Sequence, residues 1–225
     1  MNNPAPIAAS LAALRARIAA AAPGRAVTLI AVSKTQPSAA IIEALAAGQL
    51  VFGENRVQEA ATKFPDLRIT HPDIDLHCIG ALQSNKARDA VLLFDQIESL
   101  DRPKLADALA EAADREGTLP YLLVQVNIGD EPQKAGIARA DADNFITAMR
   151  ARFGEKLHGL MAIPPVGHDP KPYFRDLVAM ADHHGLPIRS IGMSDDFEVA
   201  IECGATQVRI GSALFGARAP IINSP

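Results

Sequence analysis

Apolar and polar positions along this chain alternate between two kinds of block. Short apolar runs rich in β-branched residues read as buried strands. They fall at residues 27–32 (VTLIAV), 49–53 (QLVFG), 75–80 (DLHCIG), 94–99 (FDQIES), 120–127 (PYLLVQVN), 157–163 (LHGLMAI), 188–193 (IRSIGM) and 206–210 (TQVRI). Between them lie stretches with helical spacing. These run from Pro37 to Gly48, Asn55 to about Phe64, Ser84 to Leu93, Asp101 to Gly117, Asp141 to Phe153, Lys171 to Gly185 and Asp195 to Cys203, with a short one after Gly211. Prolines stand near their starts and glycines just past their ends, as helix termini prefer. Ahead of them, Ile7, Leu11, Leu14 and Ile18 repeat at helical spacing, predicting an extra N-terminal helix over about 5–22 that Pro23-Gly24 ends. Strict β-α alternation with short loops implies a parallel sheet covered by helices. Eight such units predict an α/β fold, a closed (β/α)8 TIM barrel. The run at 94–99 is the weak unit, because Asp95, Gln96 and Glu98 are poor core residues, and an open sheet with fewer strands is the alternative.

Length and composition fit that reading. The chain has 225 residues, 48% of them hydrophobic, and no Gly/Ser/Pro-rich linker divides it, so one domain over 1–225 is expected. The formal net charge is −4 with no Lys/Arg cluster, aromatics are 4% and Trp is absent, which argues against a nucleic-acid partner. The two cysteines, Cys78 and Cys203, are far apart in apolar contexts and read as buried free thiols in a reducing cytoplasm. No apolar stretch is long enough to predict a membrane span. Before Glu43 there is no acidic residue, and Arg15, Arg17 and Arg25 punctuate an Ala-rich segment as in a transit peptide. The helical spacing favours a structural helix instead.

In a barrel the chemistry sits where strands end, and Lys34 stands where the first run ends, in Ser33-Lys34-Thr35. A lysine partly desolvated in a cleft can lose its proton and attack a carbonyl to form a Schiff base; the ordinary alternative is a surface lysine closing a strand. The seventh and eighth strand ends carry Gly192-Met193-Ser194 and Gly211-Ser212, small residues with hydroxyls and N–H groups where barrels bind phosphate. For either loop alone the helix-cap reading of its serine is the stronger. Two such loops at that pair of strand ends favour phosphate. Asp195 and Asp196 are expected to cap the next helix. A carbonyl-seeking lysine beside a phosphate site points to a phosphorylated aldehyde, and pyridoxal 5′-phosphate meets that description. Arg209 is placed to face its pyridine nitrogen and to keep that nitrogen unprotonated, since two cations in contact repel. A structural ion pair is the competing role for Arg209.

The segments AVSKT, FGENRVQE, HCIGALQSNK, GLMAIPP, GMSDDFEVAI and VRIGSALFGAR, between about residues 29 and 218, resemble the motifs of the YggS/PROSC-type pyridoxal phosphate homeostasis proteins. That resemblance implies a fold-type III pyridoxal-phosphate barrel like the N-terminal domain of alanine racemase. It implies cofactor attachment as an aldimine at Lys34, phosphate contacts from Ser194, Gly211 and Ser212, a pyridine-nitrogen contact from Arg209, and a ring pocket lined by Asn55 and Met193. Ser212 stands where the family often has threonine, with the hydroxyl kept. The implied role is to hold and deliver the cofactor and to keep amino-acid and keto-acid pools balanced, with little or no turnover. Separately from the resemblance, apo-enzymes are the candidate recipients, and a monomer is expected with a weak dimer as the alternative.

Racemisation needs a base on each face of the cofactor adduct. The two tyrosines are poor candidates: Tyr121 starts the fifth strand, at the wrong end, and Tyr173 reads as a packed helix residue. No catalytic residue is therefore assigned. The competing readings are an active racemase or related enzyme, and a cofactor-free Schiff-base aldolase. A metal barrel is disfavoured because His168-Asp169 and His183-His184 lack ligand spacing. His77 reads as a satisfied core histidine. Lys134, after the fifth strand, reads as a solvated loop charge, with a second aldehyde acceptor as the minority reading.

Overall fold

The computed structural model describes residues 6–216. Residue 5 of the expected N-terminal helix, the Ala217-Arg218 end of the last motif and both ends of the expected 1–225 domain lie outside the described residues. In chain order the strands are Thr28–Val32 (β1), Val51–Glu54 (β2), Asp75–Cys78 (β3), Gln96–Leu100 (β4), Tyr121–Asn127 (β5), Ile137–Ala138 (β6), Leu157–Ala162 (β7), Ile188–Ser190 (β8) and Gln207–Ile210 (β9). All pairings are parallel; β9 pairs with β1 and β4 with β5, which closes a ring of every strand but β6. The two-residue β6 pairs only with the end of β5. The helices are Ile7–Ala21 (α1), Ser38–Ala46 (α2), Val57–Thr70 (α3), Ala87–Leu93 (α4), Pro103–Glu116 (α5), Ala142–Phe153 (α6), Lys171–His183 (α7), Phe197–Cys203 (α8) and Ser212–Phe215 (α9). This is the expected (β/α)8 barrel with its extra N-terminal helix.

Strand alternation explains the layers. Phe52, Leu76, Ile97, Val124, Leu160 and Val208 point outward into one core shared with the helices. Ile30, Leu123 and Met161 are buried but stand apart from that core, inside the ring. α5 illustrates the helical side: Leu105, Ala106, Leu109 and Ala112 form its buried stripe, Pro103 opens it, and Gly117 closes it at φ 71°. Burying each such leucine is worth about 1.5–3 kcal/mol.

Two local expectations change, and the weakest of the expected strands is borne out. α3 continues past Phe64 to Thr70 although Pro65 lies inside it; buried Phe64 and Leu67 on either side of the proline hold the helix to the core against the lost hydrogen bond. Cys203 is only half-buried, whereas Cys78 is fully buried, and both are free. β4 is a true barrel strand whose Gln96 and Glu98 are buried.

The arginines of the N-terminal segment have structural work. Arg15 donates to the carbonyls of Ala47 (3.3 Å) and Gly48 (2.7 Å) at the end of α2. Arg25 donates to Ile201 O in α8 at 2.7 Å. Both bind carbonyls at or just past a helix C-terminus, where the backbone leaves acceptors open.

Candidate functional site

The strands' C-terminal ends surround a cleft of about 500 Å³. Its walls include Lys34 after β1, Asn55 after β2, Arg209 in β9, and the loops after β8 and β9 with Met193, Ser194, Gly211 and Ser212. All seven residues singled out from the sequence therefore meet in one place. Val32, Ile79 and Ile163 add apolar wall. These three residues are not among those singled out above, yet the period-2 pattern carries their signal: Val32 follows Ile30, and Ile79 follows His77, on the barrel-facing side.

Ser33, fully buried, precedes Lys34; its hydroxyl donates to Glu54 Oε1 at 2.7 Å. Lys63 Nζ lies 3.1 Å from the same oxygen and donates to Ser33 O at 3.0 Å. Burial pushes the Glu54 carboxyl above its ordinary value, against the pull of Ser33 and Lys63. The chain after β3 passes close against Asn55: a Cβ on Gly80 would lie 2.4 Å from Asn55 O, so only glycine fits there.

The loop after β8 depends on Gly192, whose φ of 93° is closed to other residues. Asp196 stands at the N-cap position of α8 but makes no side-chain cap. Its carboxylate accepts the Met193 N–H at 2.6 Å instead, so it shapes the loop rather than the helix end. Burial raises its pKa, opposed by that bond and by Arg209. Ser194 Oγ accepts the N–H groups of Gly211 and Ala213, both at 3.4 Å, which ties the two loops together.

Arg209 is 4% exposed. Its NH1 donates to Ser190 O (2.6 Å) and Ser190 Oγ (2.7 Å), and its NH2 to Ala162 O (3.0 Å). Burial lowers its pKa while Glu98 and Asp196 raise it. Beneath it a polar network fills the barrel. Ser190 Oγ donates to Glu98 Oε2 at 2.5 Å, and His77 Nδ1 lies 2.9 Å from Glu98 Oε1. His77 Nε2 faces Asp75 Oδ1 at 3.2 Å. Burial works against the charged imidazole, but the two carboxylates win and raise His77 to about 9. With both ring nitrogens protonated, His77 Nδ1 cannot accept from the Gln96 amide, which gives its two hydrogens to the remaining acceptors, Glu98 Oε1 (3.1 Å) and Gln207 Oε1 (3.0 Å). His77 is thus the satisfied core histidine expected, and Arg209 combines an ion pair with a place in the cleft wall.

Other candidates lie elsewhere. Lys134 is not a solvated charge: it donates to Pro164 O at 3.0 Å and pairs with Glu131 at 2.5 Å. It lines a smaller neighbouring cavity of about 250 Å³ that shares Asn55, Ile79 and Ile163 with the cleft. Tyr121 opens β5 and stacks on His158, while Tyr173 packs half-buried from α7. His184 pairs with Asp143 at 3.0 Å beyond the end of α7. Among the described residues no group of three or more His, Cys, Asp or Glu is arranged to hold a metal.

A parallel barrel with these strand-end loops is the architecture of the family described as "Alanine racemase, N-terminal domain", whose model matches residues 9–219. Solved alanine racemases share the fold: that of Streptomyces coelicolor is 23% identical with a TM-score of 0.71, over 94% of this chain and 59% of that one. Nearer relatives narrow the assignment, and the chain belongs to the family of pyridoxal phosphate homeostasis proteins. The protein of that name from Escherichia coli K12 is 44% identical over 94% of this chain and 97% of its own length. The one from Aquifex aeolicus is 40% identical over 84% and 86%. The structure of PipY from Synechococcus elongatus without PLP superposes with a TM-score of 0.85 at 41% identity, covering 93% of this chain and all of that one. PipY with PLP bound gives 0.81 at 39% identity.

Proposed function

We propose that this chain binds pyridoxal 5′-phosphate in the cleft, holds it covalently through Lys34, and serves its intracellular homeostasis in the cytoplasm, passing it to apo-enzymes with little or no turnover of its own. The observation that carries this reading is the convergence of a lysine, a buried guanidinium and two hydroxyl-bearing loops on one cleft. Pyridoxal 5′-phosphate supplies an aldehyde that condenses with an amine to a Schiff base, releasing water.

The residues present fit that group. The 3.4 Å bonds from Gly211 N and Ala213 N to Ser194 Oγ are long, so these donors can be shared with an anion, and Ser194 and Ser212 add hydroxyls. A guanidinium has five N–H donors, and the three bonds of Arg209 to Ser190 and Ala162 leave two for a ring nitrogen. A cation at that nitrogen disfavours its protonation and so weakens the ring as an electron sink. Asn55 and Met193 border the ring space. Neither tyrosine lines the cleft, which leaves no tyrosine base to pair with Lys34. These last two points support holding over turnover. The free thiols of Cys78 and Cys203 suit a reducing compartment. No helix among the described residues is long and apolar enough to cross a membrane.

The test is the absorbance spectrum of the protein with added cofactor, followed by borohydride reduction and peptide mapping. A yellow protein whose reduced adduct maps to Lys34, and a colourless Lys34→Ala variant, are expected. A protein that stays colourless with the cofactor sinks the assignment. Amino-acid racemisation well above the rate of free cofactor would overturn the low-turnover part alone.

A further inference from the structure

Lys34 sits inside a tight turn. Ser33 O accepts the Gln36 N–H at 3.0 Å, so Lys34 and Thr35 are the two central residues. Thr35 has φ 63°, and Lys34 is not among the residues with positive φ. A positive φ at the second central position alone is the type II pattern, which glycine or asparagine ordinarily fills. Threonine is β-branched, and a left-handed conformation brings its Cβ against its own backbone. Such strain persists only where the surroundings over-determine it.

The surroundings here are a set of carboxylates bridged by one lysine. Glu59 Oε1 accepts the Thr35 N–H at 2.5 Å. Lys63 Nζ lies 2.6 Å from that oxygen and 3.1 Å from Glu54 Oε1, and donates to Ser33 O. Glu54 in turn holds the Ser33 hydroxyl. Both flanks of Lys34 are therefore bonded to the same cluster. Glu59 and Lys63 are one helical turn apart on α3, so a rigid element carries the clamp.

We propose that Glu59, Lys63 and Glu54 are positioning residues for Lys34: they hold Thr35 left-handed and so keep the lysine presented to the cleft before any ligand arrives. The inference rests on Lys34 being the cofactor anchor. In its physical form, the clamp raises the fraction of molecules whose turn is competent, and apparent affinity and capture rate scale with that fraction. It also accounts for a threonine where glycine costs nothing: the conformation is enforced from α3, so the turn is stiff rather than permissive.

The experiment uses the whole protein in four forms: wild type, Glu59→Ala, Glu59→Gln and the double variant Glu59→Ala/Thr35→Gly. The first readout is the rate at which added pyridoxal 5′-phosphate forms a borohydride-reducible adduct at Lys34. Glu59→Ala is expected to slow it by about fivefold to thirtyfold, the left-handed penalty of a non-glycine residue expressed as a ratio. Glu59→Gln keeps an oxygen acceptor for the Thr35 N–H and is expected to stay near wild type. The double variant is expected to recover the rate, because glycine adopts positive φ without the clamp. The second readout needs no cofactor: trace acetylation of Lys34 relative to exposed Lys104 should shift in Glu59→Ala and return in the double variant. Unchanged rates in Glu59→Ala, or a loss that glycine does not rescue, overturn the inference. A wild type that forms no adduct, with the acetylation pattern intact, overturns the cofactor reading and leaves the clamp standing.

Discussion

Inside the barrel the charges alternate: Arg209, Glu98, His77 and Asp75 run from the cleft to the opposite mouth. A buried ion needs a partner, since each uncompensated one costs several kcal/mol. Here each has at least one of opposite sign. His77 makes the arrangement measurable because it titrates in an accessible range, raised from 6.5 to about 9 by Asp75 and Glu98 despite burial. A folded-state pKa above the unfolded one gives stability that is fully present below the unfolded value and is lost as pH rises through the folded value. The window is therefore pH 6.5 to about 9, and the contribution is about 3 kcal/mol. Urea unfolding at pH 6.5, 8 and 9.5 should show wild type losing stability across the window, and His77→Gln should lose far less. Equal slopes in the two proteins would mean that His77 is not charged in the fold. Glu98 and Asp75 have lowered pKa values, so their contribution runs the other way and disappears in acid.

The same charges explain which elements were legible in the sequence. Strongly apolar runs, such as Thr28–Val32 and Tyr121–Asn127, stand where the sequence places them. The run at 94–99 has the weakest claim because Gln96 and Glu98 look wrong for a core, and the residues that make them right are far away in sequence. Gln207 satisfies Gln96 across 111 residues, and Ser190 satisfies Glu98 across 92. Local pattern carries no trace of such pairing. The arginines of the N-terminal segment are similar, since the carbonyls that Arg15 and Arg25 reach lie just past α2 and in α8. The cleft was more legible than its supports, because its residues cluster at strand ends while Glu59 and Lys63 sit on a helix face that reads as ordinary surface. At the element scale Gly192 joins β8 to α8, and a Cβ there would lie 2.6 Å from Ala200 Cβ on α8. Its φ of 93° adds backbone strain for any other residue. Gly192→Ala should therefore cost roughly 2–4 kcal/mol and weaken cofactor binding by displacing Ser194. A variant with wild-type stability and affinity would show that the loop accommodates the methyl group freely.

At the scale of the molecule, the ring of strands has no free edge, because β9 pairs with β1 and β4 with β5. The cleft draws its walls from strands on both sides of the β1–β9 seam, and the loops after β8 and β9 are bonded to each other through Ser194. A ligand that fills it links elements far apart in the chain, so binding should stabilise the whole barrel rather than one loop. One cooperative unfolding transition is expected, moved as a unit by the cofactor. At a free cofactor concentration about 100 times the dissociation constant, linkage adds about 2.7 kcal/mol. For a chain of this length that raises Tm by about 5–11 °C. On the proposed reading, Ser194→Ala and Ser212→Ala should each reduce the rise by weakening the proposed phosphate contacts, and Lys34→Ala, which removes the proposed anchor, should leave only the part due to non-covalent binding. Inorganic phosphate should give a smaller rise that Lys34→Ala retains and Ser194→Ala loses, because it engages the loops but not the lysine. If phosphate stabilises wild type and the serine variants equally, the anion site lies elsewhere. If the cofactor's effect is indifferent to Lys34, the two halves of the cleft act separately and no covalent anchor needs to be invoked.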